Sequence, residues 1–207
     1  MSPAEQLEQG IAALGLGVDR ATQQRLLDYT ALIDKWNQVY NLTAIREPEK
    51  MISHHLLDCL AVLPHIAPKR LLDVGSGAGL PGIPLALALP GTHVTVLDSN
   101  HKKAAFLRQA VLELGLNNVE VCSERVESWK PEQKFDVIIS RAFSDLAEFV
   151  RLTRHLIAPG GAFAAMKGLN PHEEIEKLPE GCQAPRVLPL AVPGLDAGRH
   201  LILVKIG

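Results

Sequence analysis

The run Leu71-Leu72-Asp73-Val74-Gly75-Ser76-Gly77-Ala78-Gly79-Leu80-Pro81-Gly82 constrains this chain more than any other segment. Its first four residues read as a buried strand. Its three alternating glycines carry no Cβ, so positive φ angles cost little at those positions and a ligand can approach the main chain there. A second apolar strand, Val94-Thr95-Val96-Leu97-Asp98, ends on a carboxylate about twenty residues after the turn, where an α/β nucleotide site keeps its ribose-binding acid. Gly75, Gly77 and Gly79 are therefore expected to form the ligand turn, and Asp98 to accept from the ribose hydroxyls.

The spacing also bears on the rest of the ligand. A nicotinamide site uses G-x-G-x-x-G and sets a pyrophosphate on a helix N-terminus. Here the glycines alternate, and Pro81 and Pro84 remove two amide donors that a pyrophosphate would use. Asp73, in the strand before the turn, repels phosphate but suits a cation. These features point to S-adenosylmethionine, a nucleoside with an α-ammonium and a sulfonium, and put Asp73 on the cofactor side.

From about residue 70 onward, strand and helix patterns alternate. Strands are expected at Arg70 to Val74, His93 to Asp98, Val119 to Cys122, Phe135 to Ser140, Ala162 to Lys167, Val187 to Val192 and Leu201 to Ile206. Helical patterns fill the gaps between the first five, as in Lys102 to Leu114 with its Gly115 stop. Such alternation implies right-handed crossovers and a parallel sheet covered on both faces. The Pro- and Gly-rich connection 193–198 is too short for a crossover helix, so the last two strands should pair antiparallel. The expected fold is α/β, and seven strands with a terminal antiparallel hairpin resemble the Rossmann-like sheet of class I methyltransferases, a likeness of fold alone. Residues 67–207 would form this core and residues 1–66 a helical extension packed on it. In the extension, Asp19 caps a helix carrying Leu26, Leu27, Tyr29, Leu32, Ile33 and Trp36, and a second apolar helix runs from about Glu49 to Leu63.

Several functions are disfavoured. No apolar run reaches the ~18 residues of a membrane span, and Met1 to Gly10 lacks the basic start and apolar stretch of a signal peptide, so a cytoplasmic location is expected. Cys59, Cys122 and Cys182 are odd in number and widely spaced, which suits neither a disulfide framework nor a metal knuckle. None follows a proline, as the nucleophile for methylating carbon 5 of a pyrimidine usually does. His54, His55 and Asp58 could share a helical face, but adjacent histidines point about 100° apart, and no metal is expected. Trp36 and Tyr40, at i and i+4, read as a packing pair.

The net charge of −2 argues against bulk electrostatic binding of nucleic acid. Lys102, Lys103, Arg125, Arg141 and Lys167 nevertheless lie near the expected ligand edge, which favours a shaped, folded RNA or ribonucleoprotein over naked duplex.

A longer series of motifs carries a family resemblance. Lys35-Trp36-Asn37, Tyr40-Asn41-Leu42-Thr43, His55-Leu56-Leu57-Asp58, Asp73 to Pro84, Leu97-Asp98-Ser99, Lys102-Lys103, Phe106-Leu107, Ser140-Arg141-Ala142, Met166-Lys167-Gly168 and Arg199-His200 occur in the order seen in the RsmG (GidB) family. Proteins that the chain resembles are bacterial 16S ribosomal RNA methyltransferases acting on N7 of one guanine in the decoding-region loop. The resemblance implies cofactor contacts at Gly75, Leu80, Val126, Glu127 and Arg141, adds Ser99 beside Asp98, and makes 16S RNA or the small subunit the partner. The chain departs from the family's usual pattern at His54, where an arginine often precedes the histidine.

The chemistry agrees with that implication. Exocyclic-amine methyltransferases resemble one another in an Asn/Asp-Pro-Pro-aromatic sequence after the fourth strand, where this chain has Ser140-Arg141-Ala142-Phe143. Guanine N7 offers an in-plane lone pair and no proton at neutral pH, so no general base is required and positioning supplies most of the acceleration. No catalytic acid or base is therefore expected. Arg141, at the carboxyl edge of the fourth strand, would pair with the methionine carboxylate or an RNA phosphate through its fork, and Lys167 would position RNA nearby. Glu127 would accept from the adenine amino group while the Val126 amide meets a ring nitrogen. A small-molecule methyltransferase and a non-catalytic cofactor-binding RNA module remain alternatives.

Overall fold

The strands alternate apolar residues in ways that fill two opposite layers, and this explains the architecture. In the computed structural model, which describes residues 1–143, 145–168 and 171–207, the strands are β1 (Arg70–Val74), β2 (His93–Leu97), β3 (Val119–Cys122), β4 (Phe135–Ser140), β5 (Ile157–Lys167), β6 (Arg186–Pro189) and β7 (His200–Lys205). Among the described residues they form one sheet in the order β3-β2-β1-β4-β5-β7-β6. β1 to β5 pair parallel, while β7 lies antiparallel between β5 and β6. The antiparallel pairing of the last two strands is as expected, with β6, not β7, outermost.

Successive side chains point to opposite faces. Leu71, Val94, Val96, Val137, Ile139 and Ala164 join one apolar layer, and Leu72, Val74, Leu97, Ile138, Phe163 and Ala165 the other. The first layer is shared with α1 (Pro3–Ala13), α2 (Arg20–Asn37), α5 (Gly82–Ala88) and α6 (His101–Glu113), so Leu7, Ile11, Tyr29 and Ile33 belong to the same core as β1 and β2. The second is covered by α7 (Leu146–Thr153), through Leu146, Phe149 and Val150.

Four elements differ from expectation. Helix α1 was not anticipated; Ser2 and Glu5 cap it reciprocally, the arrangement of a capping box. The apolar stretch around residues 49–63 is composite: α3 (Pro48–Met51), a π-helical segment (Ile52–Leu57) and α4 (Asp58–Leu60). No helix forms between β3 and β4, because residues 123–134 are polar and offer only Val126 and Trp129 to bury; a turn returns the chain across β2 and β1. Strand β5 starts five residues early, at Ile157, which pairs with Phe135 before a register shift. The strand takes up φ +76° at Gly160 within this early stretch.

The chain builds outward from β1 through β2 to β3, then returns to β4 on the other side of β1. The carboxyl ends of β1 and β4 therefore flank the point where strand order reverses, the place where open α/β sheets bind ligands.

Candidate active site

The glycine turn leaves β1 at this crevice, and its hydrogen bonds show what it can offer. The N–H groups of Gly75 and Ser76 donate to the Leu97 carbonyl, those of Gly79 and Leu80 to the Ser76 carbonyl, and that of Gly77 to Asp98 Oδ2 at 2.8 Å. These five amides are used internally, so the turn presents few donors to a ligand, which disfavours an anion such as pyrophosphate. The donation by main-chain amides that bare glycines suggest is thus largely diverted into the turn itself.

The turn is held from below. Tyr29 of α2, fully buried, donates its hydroxyl to the Ala78 carbonyl. Asp73 is also fully buried: its Oδ2 accepts from Ser76 Oγ at 2.5 Å and from the Gly82 amide at 2.8 Å. Burial pushes its carboxyl up to about 6, against the pull of those two donors. Asp73 therefore sits beneath the turn as its tether, and any attraction it exerts on a ligand cation acts through the turn. Gly79 likewise faces the core, where a Cβ would come within 2.5 Å of Ile83 and 2.9 Å of Leu107.

Asp98 ends β2 beside the cleft, 8 % exposed. Oδ1 accepts from the Asn100 amide at 2.9 Å, and Oδ2 from Gly77. Each oxygen keeps acceptor capacity, the requirement for two vicinal hydroxyls. A cavity of about 200 Å³ opens here, lined among others by Gly75, Asp98, Ser99, Val126, Glu127 and Phe143. A second, of about 190 Å³, is lined by Thr43, His55, Gly75, Gly77, Leu80 and Arg141. The two share Gly75, so together they make a bent trough over the turn. A larger cavity of about 500 Å³, near Asp136, Arg186 and Lys205, opens away from the glycine turn.

Arg141, just past β4, is fixed by α4 and its neighbours. Its Nη1 donates to Asp58 Oδ2 at 3.1 Å, to the His54 carbonyl at 3.3 Å and to Cys59 Sγ at 3.7 Å. Arg199 Nε lies 3.2 Å from Asp58 Oδ1, a charge contact off the line of a hydrogen bond. One buried carboxylate thus faces two guanidinium groups. Burial raises the Asp58 carboxyl and the two arginines oppose that rise. Burial also pushes the Cys59 thiol up to about 12, which makes it inert.

Of the residues expected at the site, Gly75, Gly77, Leu80, Asp98, Ser99, Val126, Glu127 and Arg141 line the trough. Asp73 and Gly79 lie under it. Lys167 does not project from the surface: its Nζ is 2.9 Å from Glu174 Oε2 and donates to the Phe143 carbonyl at 2.9 Å, with the side chain 10 % exposed. Sequence reasoning assigned no role to Thr43, His55 or Phe143. For the first two the signal lay in the motifs Tyr40 to Thr43 and His55 to Asp58, which only the fold brings opposite the glycine turn.

The donor set fits S-adenosylmethionine: a two-oxygen acid for a ribose, a turn with few amide donors, and a guanidinium for a carboxylate. A family model described as rRNA small subunit methyltransferase G matches residues 22–202. The chain belongs to this family. Proteins named ribosomal RNA small subunit methyltransferase G are 59 % identical in Laribacter hongkongensis, over 100 % of this chain and 99 % of that one, and 57 % identical in Nitrosospira multiformis, over 99 % and 98 %. Among solved structures, a SAM-dependent methyltransferase from Aquifex aeolicus shares the fold with a TM-score of 0.58 at 22 % identity, covering 77 % of this chain and 94 % of its own. A predicted O-methyltransferase from Agrobacterium tumefaciens gives 0.59 at 22 % identity, over 73 % and 80 %. Members of the rRNA small subunit methyltransferase G family are enzymes, and this chain is a methyltransferase of small-subunit ribosomal RNA with S-adenosylmethionine as methyl donor. No helix among the described residues is long and apolar enough to cross a membrane.

Proposed function

We propose that the enzyme methylates N7 of one guanine in the decoding-region loop of 16S ribosomal RNA. The observation that carries this reading is the trough over Gly75, with Asp98 at one end and Arg141 at the other; among the described residues no carboxylate lines its second cavity. Bound there, S-adenosylmethionine supplies a methyl group activated on a sulfonium. Asp98 accepts from the ribose hydroxyls, the segment Val126–Glu127 borders the adenine, and Arg141 holds the methionine carboxylate with donors not turned toward Asp58. The residues 1–66 act as a helical extension that completes the second cavity.

Among the described residues, the ionisable groups that line the second cavity are His55, which burial and Arg141 depress to about 4, and Arg141 itself, which, against the lowering effect of burial, neighbouring acidic groups raise above its usual value. Neither accepts a proton at neutral pH with useful strength, which suits an acceptor that has none to lose. The protein's contribution is then to bring the N7 lone pair into line at near-attack distance.

The test is chemical. Labelled S-adenosylmethionine and the protein are incubated with small subunits, and separately with 16S RNA, from cells lacking this gene. The RNA is then treated with borohydride and aniline, which cleave at the labile N7-methylguanine. A single break in the decoding-region loop is expected. Incorporation without a break places the methyl elsewhere and refutes the reading.

A further inference from the structure

The wall facing the glycine turn is built with more care than a cofactor fold needs. Asn37, 2 % exposed, fixes it: its Oδ1 accepts from the amides of Leu42 at 2.9 Å and Thr43 at 3.1 Å, and its Nδ2 donates to the Thr43 carbonyl at 3.0 Å. Thr43 Oγ1 accepts from the Ile45 amide at 3.1 Å and lies 2.9 Å from His55 Nε2. His55 is 3 % exposed, and its Nδ1 is enclosed with no partner among the described residues.

The tautomer follows from this network. With the proton on Nδ1, a buried N–H would be left bare; with the proton on Nε2, only an acceptor is left bare, the less costly arrangement. His55 therefore donates to Thr43. Both lone pairs of the Thr43 hydroxyl are then filled, and its hydrogen is left to turn into the second cavity, which the half-buried Thr43 lines. The wall holds a single oriented donor beside an uncharged imidazole, which spares a base that becomes cationic on methylation.

Guanine presents two acceptors, N7 and O6, on one edge, while adenine replaces O6 with an amino donor. We propose that Thr43 is a specificity-determining residue, its hydroxyl donating to O6 of the target guanine, and that His55 is the positioning residue that turns the hydroxyl toward it. This rests on the guanine-N7 reading and deepens it. Adenine at the target would set donor against donor, and a guanine analogue lacking O6 would leave the hydroxyl unpaired.

The experiment uses small-subunit RNA carrying guanine or, by ligation of a synthetic segment, 2-aminopurine at the target; 2-aminopurine keeps N7 and lacks O6. Wild-type kcat/KM should be about tenfold lower on 2-aminopurine, the effect of one hydrogen bond in a dry site. Thr43→Val should lose about tenfold on guanine and nothing further on 2-aminopurine, with its affinity for S-adenosylhomocysteine within twofold of wild type. Thr43→Ser should restore the preference. His55→Leu should behave as Thr43→Val does, and His55→Gln should recover most of the preference. An equal loss by Thr43→Val on both substrates, or a tenfold loss of cofactor affinity, would give the hydroxyl to the fold or the methionine and overturn the assignment. A wild-type reaction that leaves no borohydride-aniline break at the guanine refutes the N7 reading as well, so the two failures are separable.

Discussion

Gly77 and Gly79 look alike in the sequence, yet the structure predicts opposite consequences for replacing them with alanine. At Gly79 φ is +92°, and a Cβ would lie 2.5 Å from Ile83 Cγ1, 2.9 Å from Leu107 Cδ2 and 3.1 Å from the Tyr29 hydroxyl, all of them fully buried. Backbone strain of about 1–3 kcal/mol and overpacking of about 1–3 kcal/mol add to about 4 kcal/mol for Gly79→Ala. In a domain of this size that lowers Tm by roughly 8–16 °C. At Gly77 φ is +59° and the nearest atom to a Cβ would be the Gly75 carbonyl oxygen, 4.0 Å away. Gly77→Ala then costs about 1 kcal/mol in stability, or roughly 2–4 °C. The added methyl nevertheless borders the trough, so S-adenosylhomocysteine should bind at least about tenfold more weakly, equivalent to about 1.4 kcal/mol. Thermal melts and calorimetry on the two variants check this directly. Wild-type affinity in Gly77→Ala would show that the ligand does not lie against that glycine, and equal melting temperatures would refute the packing argument.

Two further outcomes are expected. Asp98→Ala should weaken S-adenosylhomocysteine by about 2 kcal/mol, roughly thirtyfold in calorimetry, by removing a charged acceptor; its Tm should also fall, since the Gly77 and Asn100 amides lose their acceptor. His55 gives a pH signature. Burial depresses its pKa from 6.5 to about 4, so between those values the unfolded chain binds more protons and stability falls as pH is lowered. At pH 5 this amounts to about 2 kcal/mol. Urea titrations at pH 7 and pH 5 should show His55→Gln losing less stability than wild type over that interval by about this amount, and identical losses would refute the buried neutral state.

The sheet was legible because its strands are apolar runs bounded by Gly, Pro and polar turns: β1, β3 and β4 have the bounds that their periodicity predicts. Asp98, Val126 and Glu127 were legible as positions relative to those strands. Helix α1 was not legible: Ser2 and Glu5 mark its start, but its polar composition hid the face that carries Leu7 and Ile11. The roles of Asp73 and Lys167 were not legible. Whether a carboxylate at a strand end meets a ligand or tethers a turn depends on which face of the sheet it occupies and what closes over it; for Asp73 these are Ser76 and Gly82. Lys167 has the charge of an RNA contact, but Glu174, brought up by α8 (His172–Ile175), takes it. The pairing of Asp58 with Arg141 and Arg199 joins the first sixty residues to the end of β4 and the start of β7, a distance in sequence that periodicity does not span, and the pairing of Thr43 with His55 closes a loop that periodicity does not show.

The outer position of β6 has a mechanical consequence. Among the described residues β6 pairs only with β7, which alone connects it to β5. β6 therefore cannot dock before β7, and β7 cannot leave β5 without carrying β6 out of the sheet, so an opening of the β5–β7 seam moves the two strands as one unit. Arg199 leads directly into β7, and its grip on Asp58 breaks whenever that unit opens. Breathing at the far rim of the sheet is thereby tied to how firmly Asp58 holds Arg141. Slowed amide exchange in β6 on cofactor binding would be the visible trace of that coupling.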